Sequence, residues 1–263
     1  MTGLTERTTG AGPASSGPAP VLRVQDLSWT VGGVHIVDRV SLDVSPGEFV
    51  AVIGPNGAGK TSLFNLISGL VPVTSGRIEL DGADVTGAPP HRRARLGLGR
   101  TFQSSSVFAA LPVAENVRLA AAAATGSCLR LWRPAAPQAA ADEALARVGL
   151  AHRTNEPAGR LSHGDKRKLE LAILLAADPK LILLDEPMAG VSAGDVPALT
   201  DVVRSIHREE GRTVLMVEHH MEVLLGLADR VAVMHHGALL ALGSPQQVMA
   251  DPTVQDAYLG EPL

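Results

Sequence analysis

Apolar residues near the start of the chain occur in short stretches with polar or glycine residues between them. Four such stretches fill residues 21–24, 27–31, 34–37 and 40–44. Gly32 and Gly33 separate the middle two stretches, and a glycine pair in this position is typical of a tight hairpin turn. Residues 76–82 add another stretch that ends in an aspartate-glycine turn. The pattern predicts a lobe of antiparallel hairpins.

Three further runs, at residues 49–53, 181–184 and 213–217, are apolar almost throughout. Runs of this kind are typical of strands that are buried on both faces of a parallel sheet. A glycine-rich segment follows the first run, and carboxylates follow the other two. Because ligands bind at the carboxyl ends of strands in such sheets, we expect an α/β fold with its functional site where these strands end.

The remaining segments predict helices and one late hairpin. Residues 112–150 are rich in alanine and are interrupted by Gly126 and by the region of Pro134 and Pro137, which indicates a separate helical subdomain over about residues 104–178. Trp132 is expected to pack inside it. The basic segment 91–95 is expected to form a solvated surface rather than a site. Near the end, a hairpin across His236 and Gly237 is followed by a short helix.

The composition fits one compact domain at residues 21–263 and excludes several classes of protein. The chain has 263 residues, of which 45% are hydrophobic, enough to bury a large core. With 23 basic and 27 acidic residues it has no strong positive field for nucleic acid, and no apolar run approaches a membrane span. It lacks the pattern of a secretory signal and has a single cysteine, so a reducing cytoplasm is expected.

Residues 1–20 hold almost no large apolar side chain and are expected to be a disordered tail.

A phosphate-binding motif directly follows the first buried run, and it fits G-x-x-x-x-G-K-[ST] at every fixed position. It consists of Gly54, Pro55, Asn56, Gly57, Ala58, Gly59, Lys60 and Thr61, with Ser62 next. The glycines allow a tight turn that points successive backbone N–H groups at a polyanion. Lys60 can reach the β- and γ-phosphates, and the Thr61 hydroxyl suits Mg²⁺. The position between a buried strand and an apolar helix predicts that the chain binds ATP or GTP.

Titratable side chains follow the second and third buried runs. Asp185 and Glu186 end the second run, and Glu218, His219 and His220 follow the third. In isolation, an acidic pair favours a solvated turn, and a histidine is more often structural than catalytic. Beside a phosphate loop, the acidic pair instead indicates a Mg²⁺-nucleotide site, which needs one carboxylate near the metal and one base for water.

Four residues precede a predicted helix that ends near Asp178, namely Ser162, His163, Gly164 and Asp165. Ser162 and Asp165 have the spacing of a capping box. On these residues alone an ordinary helix cap is the favoured interpretation.

Taken together, the motifs resemble those of the ATP-binding subunits of ABC transporters over residues 21–263. The resemblance is carried by the phosphate loop, Gln103, residues 161–165, residues 183–186 and His219. The segments 100–103, 217–219 and 250–260 look most like those of the branched-chain amino acid importers. Related subunits import urea or short amides, and a cousin extracts lipopolysaccharide. The resemblance implies a P-loop NTPase core with an antiparallel β subdomain and a small α-helical subdomain.

The resemblance also implies a role for each motif residue. The phosphate loop, with Ser62, would be the Walker A motif that binds ATP. Thr61, Gln103 and Asp185 would surround Mg²⁺, and Gln103 would also report to the membrane subunit. Glu186 would be the base that polarises the attacking water, and His219 would bind the γ-phosphate.

The signature motif at residues 162–165 implies a partner. It would present N–H groups at a helix N-terminus to the ATP held by a second ATPase subunit, either identical or paralogous. The assembly would include two integral membrane permease subunits and, indirectly, a solute-binding protein, with this subunit peripheral on the cytoplasmic face of the inner membrane. No nucleic acid partner is expected. A soluble ABC protein acting on nucleic acid would need a coiled-coil insertion or a second ATPase half, and a P-loop kinase would not explain Ser162 or His219.

Three positions depart from the family pattern. The signature, usually LSGGQ, reads LSHGD at residues 161–165 and so places the carboxylate of Asp165 near an anionic ligand. The D-loop region at residues 188–192 lacks the common aspartate. Val31 stands where the family often has an aromatic residue under adenine, and Trp29 lies two residues earlier on the same face. We expect a weak contact from Val31 and core packing of Trp29, with stacking of Trp29 on the base as the alternative.

Overall fold

The computed structural model describes residues 19–101, 107–124 and 135–259. Within these ranges the chain forms a four-stranded antiparallel sheet, a six-stranded sheet that is parallel except at one edge, and helices on both sides of the larger sheet. This arrangement confirms the predicted α/β fold. The predicted disordered tail falls almost entirely outside the described residues. Gln103 and Trp132 also lie outside them.

The hairpin region forms the antiparallel sheet. Its strands are β1 (Leu22–Val31), β2 (Val34–Val44), β4 (Ser75–Leu80) and β5 (Ala83–Asp84), in the order β2-β1-β4-β5. The gaps in the sequence pattern are irregularities within long strands, because Asp26 and Arg39 adopt a positive φ of 46° close to register shifts. A local left-handed residue bends a strand without ending it. The turn at Gly32 and Gly33 joins β1 to β2, as predicted.

The larger sheet contains the three buried runs. Its strands are β3 (Phe49–Ile53), β6 (Leu98–Arg100), β7 (Leu181–Asp185), β8 (Thr213–Val217), β9 (Arg230–His235) and β10 (Ala238–Gly243), in the order β10-β9-β3-β8-β7-β6. β8 pairs in parallel with both β3 and β7. The carboxyl ends of these three strands therefore lie at one edge of the sheet, as the sequence predicts.

The buried strands contribute alternate residues to two separate cores. In β3, Phe49, Ala51 and Ile53 belong to one core, and Val50 and Val52 belong to the other. The same alternation occurs in β7 and β8. Shifting one of these strands along the sheet would therefore remove apolar side chains from both cores. Burial of apolar surface contributes about 25 cal/mol per Å², so the shift would lose stabilisation on both faces. The strand ends that carry the functional residues are held in place from both sides.

The helices are α1 (Lys60–Ser68), α2 (Pro90–Arg95), α3 (Val113–Ala124), α4 (Ala135–Arg147), α5 (His163–Leu175), α6 (Val196–Arg208), α7 (Met221–Leu227), α8 (Pro245–Met249) and α9 (Pro252–Leu259). α3, α4 and α5 pack on one another. The boundaries of the helical subdomain, at about residues 104 and 178, stay a prediction. In the described part of the chain, no helix combines the length and the apolar character that crossing a bilayer requires.

One residue of the basic segment is buried, which makes the interpretation of that segment as a solvated surface wrong for Arg93. Its guanidinium donates to the carbonyl oxygens of Leu66 and Ile67 at 2.6 and 2.7 Å. It also donates to the carbonyl oxygens of Ala88 and Thr86 at 2.9 and 3.0 Å. The last carbonyl groups of a helix lack intrahelical partners, so Arg93 satisfies the end of α1.

Candidate active site at the carboxyl edge of the sheet

The phosphate loop joins β3 to α1 through glycines with a left-handed backbone. Gly57 and Gly59 have φ angles of 81° and 97°. At Gly54 the chain also passes so close to β9 that a Cβ atom would lie 2.1 Å from the carbonyl oxygen of Met234. α1 begins directly after Gly59, so the first N–H groups of the helix are available at the loop. The loop has the form of an anion site at a helix N-terminus.

Lys60 is buried beneath this loop with an exposed fraction of 6%. Its Nζ donates to the carbonyl oxygens of Gly54 and Pro55 at 2.6 and 2.9 Å. Burial lowers the pKa of Lys60 below its ordinary value, and the negative charges of Glu186 and Asp185 oppose that shift. The lysine is therefore held inside the loop, close to the two acidic residues that end β7.

Asp185 is the least exposed carboxylate of the site, at 1%. Its Oδ2 accepts a hydrogen bond from Arg100 Nη2 at 2.9 Å, and Arg100 Nη1 donates to Ser68 Oγ at 2.7 Å. Burial raises the pKa of Asp185, and the charge of Arg100 opposes that shift. Asp185 Oδ1 is buried and has no hydrogen-bond partner among the described residues. Among the described residues, Arg100 thus fixes one oxygen of this carboxylate and no donor contacts the other.

Glu186 and His219 meet at the ends of the adjacent strands β7 and β8. Glu186 Oε1 lies 3.0 Å from His219 Nε2. Glu186 has a positive φ of 49°, which is uncommon for a residue with a Cβ atom. Its N–H donates to the carbonyl oxygen of Val217 at 2.9 Å, which extends the pairing of the two strands by one residue. The contact brings together two residues that are 33 positions apart in the sequence.

Glu218 is buried between the loops that follow β7 and β8. Its carboxylate accepts hydrogen bonds from the backbone N–H groups of Met188 and His219 at 2.8 and 2.7 Å. The sequence predicts a role for the neighbouring His219 but none for Glu218. The position of Glu218 could have indicated its role, since a carboxylate directly after a fully buried strand needs donors to offset its burial.

The signature motif forms the N-terminus of α5. Ser162 is the N-cap, and its Oγ accepts a hydrogen bond from the Asp165 N–H at 3.1 Å. The Asp165 carboxylate pairs with Arg153 at 3.4 Å and with Lys168 at 3.9 Å. Ser162 thus provides the cap expected from the sequence, whereas the Asp165 side chain takes part in ion pairs that offset its charge.

The other two signature residues differ in exposure. His163 is exposed at the start of α5, whereas Gly164 is buried against the loop before α6. A Cβ atom on Gly164 would lie 3.2 Å from the side chain of Asp195, which itself accepts a hydrogen bond from Ser192 Oγ at 2.7 Å. The absence of a side chain at Gly164 therefore allows the segment after β7 to approach the helix.

The β1–β2 hairpin carries the residue predicted to lie under adenine. Val31 is 50% exposed at the end of β1. Trp29 is partly buried and packs against the core beneath the antiparallel sheet, paired across the strands with Val37. The packing of Trp29 agrees with the favoured interpretation of the sequence. A contact between Val31 and adenine stays a prediction.

The structure brings Lys60, Asp185, Glu186 and His219 to one sheet edge, as the sequence predicts. It adds Arg100, which was not predicted as a site residue, because nothing in the local pattern identifies its carboxylate partner 85 residues away. Gln103, predicted as a metal ligand, lies outside the described residues.

Sequence comparison identifies relatives of this chain. The ABC transporter family matches residues 37–189, and the family described as branched-chain amino acid ATP-binding cassette transporter matches residues 238–262. The high-affinity branched-chain amino acid transport ATP-binding protein LivG of Escherichia coli is 36% identical over 251 residues, which are 92% of this chain and 98% of that protein. BraF of Pseudomonas aeruginosa, which has the same description, is 37% identical over 253 residues, again 92% of this chain and 98% of that protein.

Solved structures share the fold over nearly the whole chain. The ADP conformation of an ATP-binding cassette of an ABC transporter has a TM-score of 0.80 at 29% identity, and the match covers 93% of this chain and all of that chain. A nucleotide-free ATP-binding cassette from an ABC transporter has a TM-score of 0.79 at 29% identity, covering 92% of this chain and all of that one. With the phosphate loop and the carboxylates at the ends of β7 and β8, these matches show that the chain belongs to the ATP-binding, ATP-hydrolysing subunits of ABC transporters, in the branched-chain amino acid group.

Proposed function

We propose that this chain hydrolyses ATP to drive the import of branched-chain amino acids through separate membrane subunits. The observation that carries the proposal is the 3.0 Å contact between Glu186 and His219 at the edge of the sheet where the phosphate loop also begins. A γ-phosphate bound at the loop would lie where a base and a hydrogen-bond donor are already paired. The descriptions of LivG and BraF support the choice of solute.

Residues 54–62 would bind the triphosphate of ATP, and Lys60 supplies the positive charge. Its Nζ donates to two loop carbonyl groups, and on nucleotide binding it would donate to β- and γ-phosphate oxygens instead. Burial lowers the pKa of Lys60, whereas a nearby polyanion favours the protonated form. Bound phosphates would thus give the buried ammonium group anionic hydrogen-bond partners in place of two neutral carbonyl groups.

Asp185 and Thr61 are the proposed ligands of Mg²⁺, with Gln103 as a third. The buried Asp185 Oδ1, without a donor among the described residues, fits a cation, because carboxylate oxygens are preferred ligands of this ion. The described ranges contain no group of three or more His, Cys, Asp and Glu side chains that could enclose a metal. This suits Mg²⁺, which usually keeps water and phosphate oxygens among its ligands. When bound, the ion would neutralise charge that develops on the β- and γ-phosphates.

Glu186 is the proposed general base. Its carboxylate would accept the proton of a water molecule as the water oxygen attacks the γ-phosphorus atom, and the bond from that atom to the bridging oxygen of ADP breaks. His219 would donate a hydrogen bond to the γ-phosphate and keep it beside the base. A positioned general base contributes about 10²- to 10⁴-fold to a rate, which is the share assigned to Glu186.

The signature motif would act on the ATP of a second ATPase subunit, identical or paralogous. Ser162 and His163 are exposed, and the N-terminus of α5 provides N–H groups and a partial positive charge toward a γ-phosphate. Arg153 and Lys168 offset the charge of Asp165, so a carboxylate at this position is compatible with an anion nearby.

The proposed assembly adds two integral membrane permease subunits and, indirectly, a solute-binding protein, with this subunit on the cytoplasmic face of the inner membrane. Reconstitution of the co-purified assembly in proteoliposomes tests the solute. We expect ATP-dependent uptake of labelled leucine, competed by isoleucine and valine and absent from a matched assembly with Glu186→Gln. Uptake of urea or a short amide without uptake of leucine would overturn the choice of solute and leave the ATPase assignment intact.

A further inference from the structure

We propose that Glu218 is a positioning residue that holds the loops carrying Glu186 and His219 in fixed relation for ATP hydrolysis. The proposal rests on the roles assigned above to those two residues. Glu218 itself contacts neither the phosphate loop nor Lys60 in the described hydrogen bonds. Its effect on the reaction is therefore exerted through the two residues that would touch water and phosphate.

The two oxygens of the Glu218 carboxylate serve different loops. Oε1 accepts the N–H of Met188 at 2.8 Å, in the loop that follows β7. Oε2 accepts the N–H of His219 at 2.7 Å and lies 3.0 Å from Nδ1 of His220, in the loop that follows β8. A single carboxylate thus joins Met188, two residues after Glu186, to His219, the proposed ligand of the γ-phosphate.

Pairing of the strands does not extend far enough to fix these loops. The hydrogen bond from Glu186 N–H to the carbonyl oxygen of Val217 is the last one in the register of β7 with β8. Glu186 then adopts a positive φ of 49°, a conformation that a residue with a Cβ atom keeps only when its surroundings hold it. The hydrogen bonds of Glu218 begin where the strand pairing ends, and they restrain both segments.

Burial makes this connection specific. The Glu218 side chain is 2% exposed, so its charge is satisfied by the donors of the two loops and not by bulk water. If one loop moved away, a buried carboxylate oxygen would lose its donor at considerable cost. The carboxylate therefore favours the arrangement in which both loops are in place and Glu186 contacts His219.

Two substitutions test the proposal in steady-state ATPase assays. Glu218→Ala removes both acceptors, and since a 1 Å misplacement of a reacting group can cost about 10²-fold, we expect kcat to fall by roughly 10- to 100-fold. Glu218→Gln keeps one acceptor oxygen but turns an amide NH₂ toward N–H donors, so its kcat should lie between those of Glu218→Ala and the wild type. Neither change alters the phosphate loop, so the affinity for ATP, measured by calorimetry, should be unchanged.

Glu48 provides a matched control. Its side chain is 12% exposed, and its carboxylate accepts hydrogen bonds from Ser45 N–H at 2.7 Å and from Arg230 Nη1 at 3.1 Å. It precedes β3 and so lies at the amino edge of the sheet, opposite the site. Glu48→Ala should lower the melting temperature and leave kcat unchanged.

The combination with Glu186→Gln separates positioning from a purely structural role. If Glu218 acts partly through the base, Glu218→Ala should reduce the single-turnover rate of the Glu186→Gln variant by much less than it reduces that of the wild type. Equal reduction in both backgrounds would overturn the proposal. If Glu218→Ala does not fold, the folded Glu218→Gln variant decides, and a wild-type kcat or a change confined to KM would contradict the role. Should Glu186→Gln itself keep full turnover, the proposed role of Glu186 as the base fails; full turnover in the Glu218 variants alone refutes only the positioning role.

Discussion

The two halves of the proposed ATP site differ in how far a single chain completes them. At the carboxyl edge of the sheet, Lys60 and Asp185 are buried, and the contact of Glu186 with His219 is formed within the chain. At the N-terminus of α5, by contrast, Ser162 and His163 are exposed. The first half is thus organised by the core of this chain, whereas the second half presents a helix end to the surface.

The two halves differ in how strongly water screens their charges. The charges of Lys60 and Asp185 lie in a medium of low dielectric, where hydrogen bonds and ion pairs are strong, whereas the contact of Glu186 with His219 is partly open to solvent. The end of α5 faces water, which screens its partial charge until another surface covers it. We therefore expect substitution of Lys60 in the phosphate loop to change ATP binding by an isolated subunit, and substitutions at α5 to change only the turnover of the dimer.

The largest effect should come from Lys60, which we propose is needed for ATP binding itself. Lys60→Ala removes the only buried ammonium group of the phosphate loop, so both ATP affinity and turnover should be abolished. His219→Ala is the matched comparison, since it should reduce turnover while sparing affinity. Tight Mg-ATP binding by the Lys60→Ala variant in calorimetry would refute the assignment of this side chain.

Substitution of the proposed base should separate binding from hydrolysis. Glu186→Gln keeps the shape of the side chain and removes its basicity, so we expect a loss of about 10²- to 10⁴-fold in turnover with ATP binding retained. The variant should accumulate as an ATP-bound dimer in size-exclusion chromatography. Turnover above about a tenth of the wild-type value would remove Glu186 from the role of base.

An intermediate effect is expected at the adenine. Stacking of a base on an aromatic ring is worth about 1 to 3 kcal/mol, so Val31→Tyr should tighten ATP binding by roughly 5- to 150-fold. Trp29→Ala should instead lower the melting temperature with little change in affinity, because Trp29 packs against the core. A titration without any gain for Val31→Tyr would show that position 31 does not face the base.

The smallest effect should come from the ion pair beside the signature motif. Arg153→Ala leaves the Asp165 carboxylate less well offset near the proposed anion, and a partly exposed pair of this kind is worth about 0.2 to 1 kcal/mol. Turnover of the dimer should fall by up to about fivefold, whereas ATP binding to the isolated subunit should not change. Arg147→Ala, which breaks ion pairs of α4, is the control and should leave turnover unchanged. Weaker ATP binding by the Arg153→Ala subunit would contradict the division into two halves.

Much of the fold could be predicted because its signals are local. The runs that form β3, β7 and β8 are apolar on both faces, and a phosphate loop must follow one such strand. Their shared edge follows from parallel pairing, and this rule is sufficient to predict that Asp185 and Glu186 lie beside the phosphate loop.

The remainder depends on contacts that no local pattern encodes. Arg93 lies in a segment whose pattern predicts a solvated surface, yet its partners are carbonyl oxygens up to 27 residues away. Glu218 accepts a hydrogen bond from the loop after β7, and Arg100 donates to the carboxylate at the end of β7. Both contacts form only because the strands pair. A buried charge of this kind becomes predictable once the strand order is known, because its donors must then be found among the neighbouring loops.

We propose that one complete site combines the sheet edge of one copy with α5 of another, and mixing two inactive variants tests this directly. Glu186→Gln damages the sheet-edge half, and Ser162→Arg blocks the exposed helix end while leaving the sheet edge intact. In a mixed dimer, the undamaged sheet edge of the Ser162→Arg copy faces the undamaged helix end of the Glu186→Gln copy. The ATPase rate of the mixture should rise well above that of either variant alone. A mixture no more active than its components, with mixed dimers present, would contradict a site shared between two copies.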